Sequence, residues 1–128
     1  YNPNGSVGTI KTTGSATQFN TSSDYRLKEN VVTDWDATSL LKQLKPSKFN
    51  FKADTDTTVQ GFLAHEVSSI VPQAVSGEKD AVYTAEEAAD GEGVEGQPNY
   101  QGIDQSKLVP LLVKTIQELE ARIATLEG

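Results

Sequence analysis

Ser23-Asp24-Tyr25-Arg26-Leu27-Lys28-Glu29-Asn30 divides the chain, with a polar leader before it and all that reads as globular after it. Ser23 stands five positions ahead of Lys28, and the 128-residue sequence holds no cysteine to serve as nucleophile instead. A serine hydroxyl attacks a carbonyl at neutral pH only when a neighbouring base takes its proton. Lysine can be that base where burial or a nearby cation makes its neutral form accessible, and Arg26 is a candidate cation. The same residues also suit a plain turn, with Asp24 accepting bonds from nearby backbone N–H groups. Spacing alone leaves both readings open.

Upstream, residues 1–22 are rich in Gly, Ser and Thr, with Val7, Ile10 and Phe19 well separated. One copy of such a segment cannot bury enough apolar surface to offset its ordering entropy. Threonine, valine and isoleucine nevertheless favour extended backbone. The segment is therefore either a flexible linker or a strand stretch stable only when intertwined with copies of itself. The chain opens at Tyr1 rather than at a methionine, as expected of a piece of a longer protein.

Downstream, the pattern predicts an α+β domain, small and mixed, with short strands and helices and a long C-terminal helix. Val31-Val32 suits a strand. Asp34 or Asp36 can cap a helix carrying Leu40, Leu41 and Leu44, which must finish before Pro46. Residues 47–52 alternate, placing Phe49 and Phe51 on one strand face. Residues 54–58 read as a turn, 59–64 as a second strand, and 64–70 as a helix closed by Val71-Pro72. Residues 74–83 suit a strand or hairpin about Gly77. Residues 84–98 are acidic and read as an exposed loop or projecting hairpin. Residues 100–103 return as a strand, after which Asp104 or Ser106 caps the last helix, with Pro110 near its first turns.

Along that helix Val109, Leu112, Ile116, Leu119, Ile123 and Leu126 alternate three- and four-residue spacings, the a and d positions of a heptad. Glu118 and Arg122 form an i,i+4 pair. In a parallel assembly Arg122 at g faces Glu127 at the next e of a partner chain. The competing reading is an amphipathic helix packed on its own domain. Isoleucine at a with leucine at d suits a two-stranded coil.

Several function classes drop out. Eleven Lys and Arg against 18 Asp and Glu give a net charge of −7, which disfavours nucleic acid as a partner. No apolar run is long enough for a membrane span. A calcium loop starting at Asp54 would need Gly and Glu where Val59 and His65 stand, so no metal site is expected. Gly91, Gly93 and Gly96 match a dinucleotide-type spacing, but the surrounding carboxylates would repel phosphate, and no cofactor is expected. His65 is the sole histidine. At a helix start it suits packing or capping, and a hydrolase pairing Ser23 with His65 is the weakest of the functional options.

With Thr21, Ser22 and Val31 added, the opening stretch resembles the start of the self-cleaving C-terminal intramolecular chaperone domain of phage tail spikes, tail fibres and endosialidases. A related domain occurs in a membrane-tethered eukaryotic transcription factor. The family pattern, Ser-Asp-x-Arg-Leu-Lys-x-Asn and an aliphatic residue, is met at every fixed position. Gly61-Phe62-Leu63-Ala64-His65-Glu66-Val67, Val71-Pro72 and Ile103-Asp104-Gln105-Ser106-Lys107-Leu108-Val109-Pro110-Leu111-Leu112 follow in the family's order. The chain departs from the family in its longer acidic segment and in His65, where many members carry glutamine.

The resemblance implies a homotrimer in which residues 1–22 end a fibrous β-rich stalk and residues 23–128 form the autoprocessing chaperone domain. Residues 104–127 would be its coiled-coil helix, three-stranded, with Val109, Leu112, Ile116, Leu119, Ile123 and Leu126 as the seam. It implies cleavage between Ser22 and Ser23 by a Ser23–Lys28 dyad, with Asp24 and Arg26 holding the turn. The partners implied are two further copies and the upstream stalk, without nucleic acid or membrane. The setting is a virion tail precursor assembled in the host cytoplasm. A rival from another class is a non-cleaving trimerisation and host-attachment domain at a fibre tip, which needs the helix but neither Ser23 nor Lys28.

Overall fold

Threonine and isoleucine favour extended backbone, and the segment before Ser22 uses them in a hairpin. In this computed structural model, which describes residues 7–128, strand β1 (Gly8–Thr12) pairs antiparallel with β2 (Thr17–Thr21), setting Ile10 opposite Phe19. The reversal is held at Thr13, whose N–H donates to Ala16 O at 2.7 Å and whose Oγ1 accepts from Ala16 N at 3.1 Å. Every side chain of the hairpin is exposed, Ile10 at 71% and Phe19 at 79%. Two strands without a covering layer are marginal in water. Residues 1–6 of the expected stalk segment lie outside the described residues. Val31 and Val32, expected as a strand, form none and are exposed. Two residues with no neighbouring strand have no ladder to join.

The chain packs as two units, one ending at Trp35 and the other running from Asp36 to Gly128. The second is the small mixed domain expected, built from short antiparallel strands and helices. Helix α1 (Thr38–Leu41) ends well before Pro46, and Asp36 accepts bonds from the Ser39 N–H and hydroxyl. Strand β3 (Ser47–Phe51) then pairs with β4 (Asp54–Gly61), Phe49 facing Val59. Residues 54–58 are thus strand and not turn. The chain reverses at Lys52 and Ala53, and the β-branched Thr55, Thr57 and Thr58 outweigh the turn preference of Asp54 and Asp56. Asn50 steadies the bend by donating from Nδ2 to Thr55 O and Thr57 O, both at 3.0 Å. The Phe49 and Phe51 rings meet edge to face, centroids 5.4 Å apart, as their shared strand face predicts.

Helix α2 (Ala64–Ser68) leads into a 3-10 turn at Pro72–Ala74 and strand β5 (Val75–Ser76). Of the strand or hairpin expected over residues 74–83, the short strand β5 forms and a local hairpin about Gly77 does not. β5 pairs instead with β6 (Gly102–Ile103), across the whole acidic segment, while Gly77 takes a φ of 80° that releases the chain outward. Asp104 accepts from Ser106 N at 3.1 Å, capping a 3-10 turn (Gln105–Leu108) that runs into a long helix (Val109–Glu127) with Pro110 in its first turn. This last helix is α4, a short α3 lying within the acidic segment at Ala85–Ala89.

Ala37, Val67, Val71, Ala74, Leu108 and Leu111 form the core, with Leu40, Leu44, Phe62 and Ile70 packed around it. Burying each leucine contributes about 1.5–3 kcal/mol. From α4 this core takes Leu111 and Thr115, whose hydroxyl donates back to Leu111 O at 2.8 Å. One turn further, the Glu118 carboxylate accepts from the Ala37 and Thr38 N–H groups at 2.9 and 2.8 Å and from the Thr38 hydroxyl. Glu118 therefore satisfies the orphan donors at the start of α1, and the intrahelical ion pair expected with Arg122 does not form among the described residues. The Thr38 hydroxyl and the Ala37 N–H hold its carboxyl below the usual glutamate range.

Candidate active site

Ser22 is still tied to the hairpin, its N–H donating to Val7 O at 2.9 Å. One residue later the backbone leaves extended geometry for a 3-10 turn at Tyr25–Leu27, for which Asp24 is the N-cap. Asp24 Oδ1 accepts from Arg26 N and Nε, each at 2.9 Å, and its Oδ2 from Arg26 Nη2 at 2.9 Å. One carboxylate thus binds both backbone and guanidinium of the same residue, in the bidentate geometry that arginine provides and lysine does not. The Arg26 bonds lower the Asp24 pKa, and the carboxylate raises that of Arg26.

The turn closes with Leu27 N–H donating to Asp24 O and Lys28 N–H to Tyr25 O, both at 3.1 Å. Three residues per turn return the chain toward its starting point, and Lys28 Nζ reaches back to donate to Ser23 Oγ at 2.7 Å. Asn30 then takes a φ of 55°, a left-handed conformation that asparagine tolerates better than most side chains. Every fixed polar position of the motif is used locally. Ser23 and Lys28 meet, Asp24 and Arg26 clamp the turn, and Asn30 redirects the chain. Arg26, the candidate cation beside Lys28, has its charge matched by Asp24.

The pair can do proton-transfer chemistry. At 2.7 Å a neutral amine is within reach of the serine proton. The surroundings are open: Ser23 and Lys28 are exposed, as are Tyr25 at 82% and Leu27 at 72%. His65 lies on α2 of the second unit, exposed to solvent, while the hydroxyl of Ser23 is engaged by Lys28. Among the described residues no group of three or more His, Asp or Glu is placed to hold a metal ion, and no helix is long and apolar enough to cross a membrane.

A second candidate surface is the outer side of α4. Val109, Leu112, Ile116, Leu119, Ile123 and Leu126 are all exposed, between 42% for Leu119 and 87% for Leu126. Leu108, Leu111 and Thr115, which pack inward, occupy a different face. The helix does pack on its own domain, then, but through residues other than the heptad stripe.

The acidic segment is more built than a loop. Helix α3 starts in a capping box, Thr84 Oγ1 accepting from Glu87 N at 3.2 Å and Glu87 Oε2 from Thr84 N at 2.7 Å. Its base is pinned where Val82 bridges Pro98 and Tyr83 N–H donates to Gln97 O at 3.0 Å. The three glycines serve this construction. Gly91 and Gly96 take φ values of 80°, and a Cβ at Gly93 would fall 2.4 Å from the Tyr83 ring.

No curated protein matches the chain. Residues 23–76, from Ser23 through α2 to the end of β5, match the family model Peptidase_S74, chaperone of endosialidase, the family that the motifs of the chain resemble.

Proposed function

We propose that the chain is an intramolecular chaperone that trimerises, templates an upstream tail-fibre or tail-spike stalk, and then releases itself by cutting between Ser22 and Ser23. The observation that carries this reading is the 2.7 Å contact between Lys28 Nζ and Ser23 Oγ, one residue past a β-hairpin. In a fibre of intertwined chains few contacts are local, so closure entropy opposes association before β pairing begins. A folded domain that joins three chains raises their effective concentration. The exposed stripe of α4 would be the seam, in a parallel three-stranded coil.

The chemistry balances within the chain. Lys28, as the neutral amine, takes the Ser23 hydroxyl proton while Oγ bonds to the carbonyl carbon of Ser22. The Ser22–Ser23 C–N bond then breaks, and the Ser23 nitrogen leaves with the proton that Lys28 returns. Water hydrolyses the resulting Ser22 ester, leaving a Ser22 carboxylate and a free Ser23 hydroxyl. The cut defines the boundary between stalk residues 1–22 and chaperone residues 23–128. The setting is a virion tail precursor in the host cytoplasm.

Intact-mass measurement of freshly purified protein tests this. Wild type is expected to divide between Ser22 and Ser23, while Ser23→Ala and Lys28→Ala each stay whole and trimeric. The double variant should do no worse than either, since the two groups act as a unit. Complete cleavage in Lys28→Ala would sink the dyad. A wild-type trimer that stays whole beside a finished stalk would favour the non-cleaving attachment domain.

A further inference from the structure

The hairpin of β3 and β4 leaves an open groove of about 760 Å³, lined by Phe49, Phe51, Val59, Phe62, Leu63 and Lys52. Phe51 is 63% exposed and Leu63 45%. Lys42, Lys45, Lys48 and Lys52 fall in one stretch of sequence with no carboxylate among them. Lys45 pairs with Glu66 at 3.3 Å, and among the described residues the other three make no ion pair. Of the four, Lys52 lines the groove, which is apolar within and carries one cation at its edge.

The acidic excursion is its complement. Glu86, Glu87, Asp90, Glu92 and Glu95 carry no ion pair among the described residues. Val94, between Glu92 and Glu95, is 67% exposed. It is nonetheless held in place, because Gln97 N–H donates to Val94 O at 3.0 Å and Gly93 packs against Tyr83. An apolar tip flanked by carboxylates projects from a fixed base. Within one chain it leaves the groove open and Lys52 without an ion pair among the described residues.

We propose that the excursion of one protomer docks Val94 into the phenylalanine groove of the next copy, with the carboxylates of Glu92 and Glu95 toward Lys52. This rests on the trimer reading given under the proposed function. Different patches meet, so the contact is heterologous, and three such contacts close a ring around the α4 seam. The contact also offsets the repulsion among chains of net charge −7 by placing opposite charges together.

The natural absence of cysteine supplies the test. Val94→Cys combined with Phe51→Cys, oxidised mildly in the full chain, should give a covalent trimer on a non-reducing gel. Each single variant should stay uncrosslinked, because like residues do not meet in a heterologous contact. An intrachain disulfide, no disulfide, or equal crosslinking by a single variant would each overturn the docking. Independently, Glu92→Lys with Glu95→Lys should weaken trimerisation about tenfold at low salt, and adding Lys52→Glu should restore part of it. Sedimentation of the unaltered protein separates the two levels: a trimer without the crosslink defeats the docking alone, whereas a monomer removes the trimer reading as well.

Discussion

The turn at residues 23–30 and helix α4 solve opposite problems. The turn completes itself. Its cap, clamp and dyad contact all join residues no more than five apart, and it presents a finished Ser–Lys pair with no help from a core. The helix is only half completed by its own chain. Leu111 and Thr115 are buried, and Glu118 caps α1, while the stripe from Val109 to Leu126 faces solvent. Under the proposed function, chemistry would be local and assembly would not. On that proposal, a site made of neighbours would be ready before the fibre is, and its timing would be set by whatever comes to surround it.

Substitutions on the two faces of α4 should break this contrast most sharply. Leu111→Asp puts a charge in the core and should cost more than about 4 kcal/mol, unfolding the domain. Leu119→Asp with Ile116→Asp should leave the monomer folded by circular dichroism yet abolish the trimer in sedimentation at micromolar concentration. Equal unfolding by both would mean that the outer stripe is core after all.

The turn should answer more mildly. Asp24→Ala removes the clamp but neither member of the dyad, so cleavage should slow roughly ten- to a hundredfold without stopping, as expected for a misplaced but intact catalytic pair. Mass spectrometry over time reads the rate. A rate like that of wild type would show that the clamp does not position the dyad.

The smallest effect belongs to Glu118. Its carboxyl is held below the usual value of about 4.3 by the folded state. Its contribution is therefore present above that pH and is lost as pH falls through the lowered folded value. Thermal melts of wild type should show this loss in acid. Glu118→Gln should melt lower at neutral pH and lose less on acidification, because its side chain does not titrate. A parallel pH profile for the two proteins would remove the carboxylate from this role.

What was legible in the sequence follows the same division. The alternation of Phe49 and Phe51 and the heptad stripe are local patterns that the structure places on one face as their spacing predicts, and Ser23 and Lys28, whose spacing alone left two readings open, lie in contact. The β5–β6 ladder joins Val75 to Ile103 and Ser76 to Gly102 across an acidic excursion, and nothing in either strand announces the other. The partnership of Glu118 with Ala37 and Thr38 at the start of α1, 81 and 80 residues away, is just as silent. Strand β4 was hidden by competition, since Asp54 and Asp56 favour turns while the threonines beside them favour strands. Helix α3 had a readable signal, Thr84-Ala85-Glu86-Glu87 being a capping box before a pair of alanines, masked by the glycines that follow.

All of the turn's machinery lies on the C-terminal side of the Ser22–Ser23 bond. A cut there would send the nucleophile, base and clamp away together, and the fibre would keep no enzyme. What it would keep is a terminus at Ser22, one residue past β2 and fastened through its N–H to Val7. Frayed ends are where proteases enter a folded protein. A fibre trimmed flush with its last hydrogen bond would offer them no tail to grip.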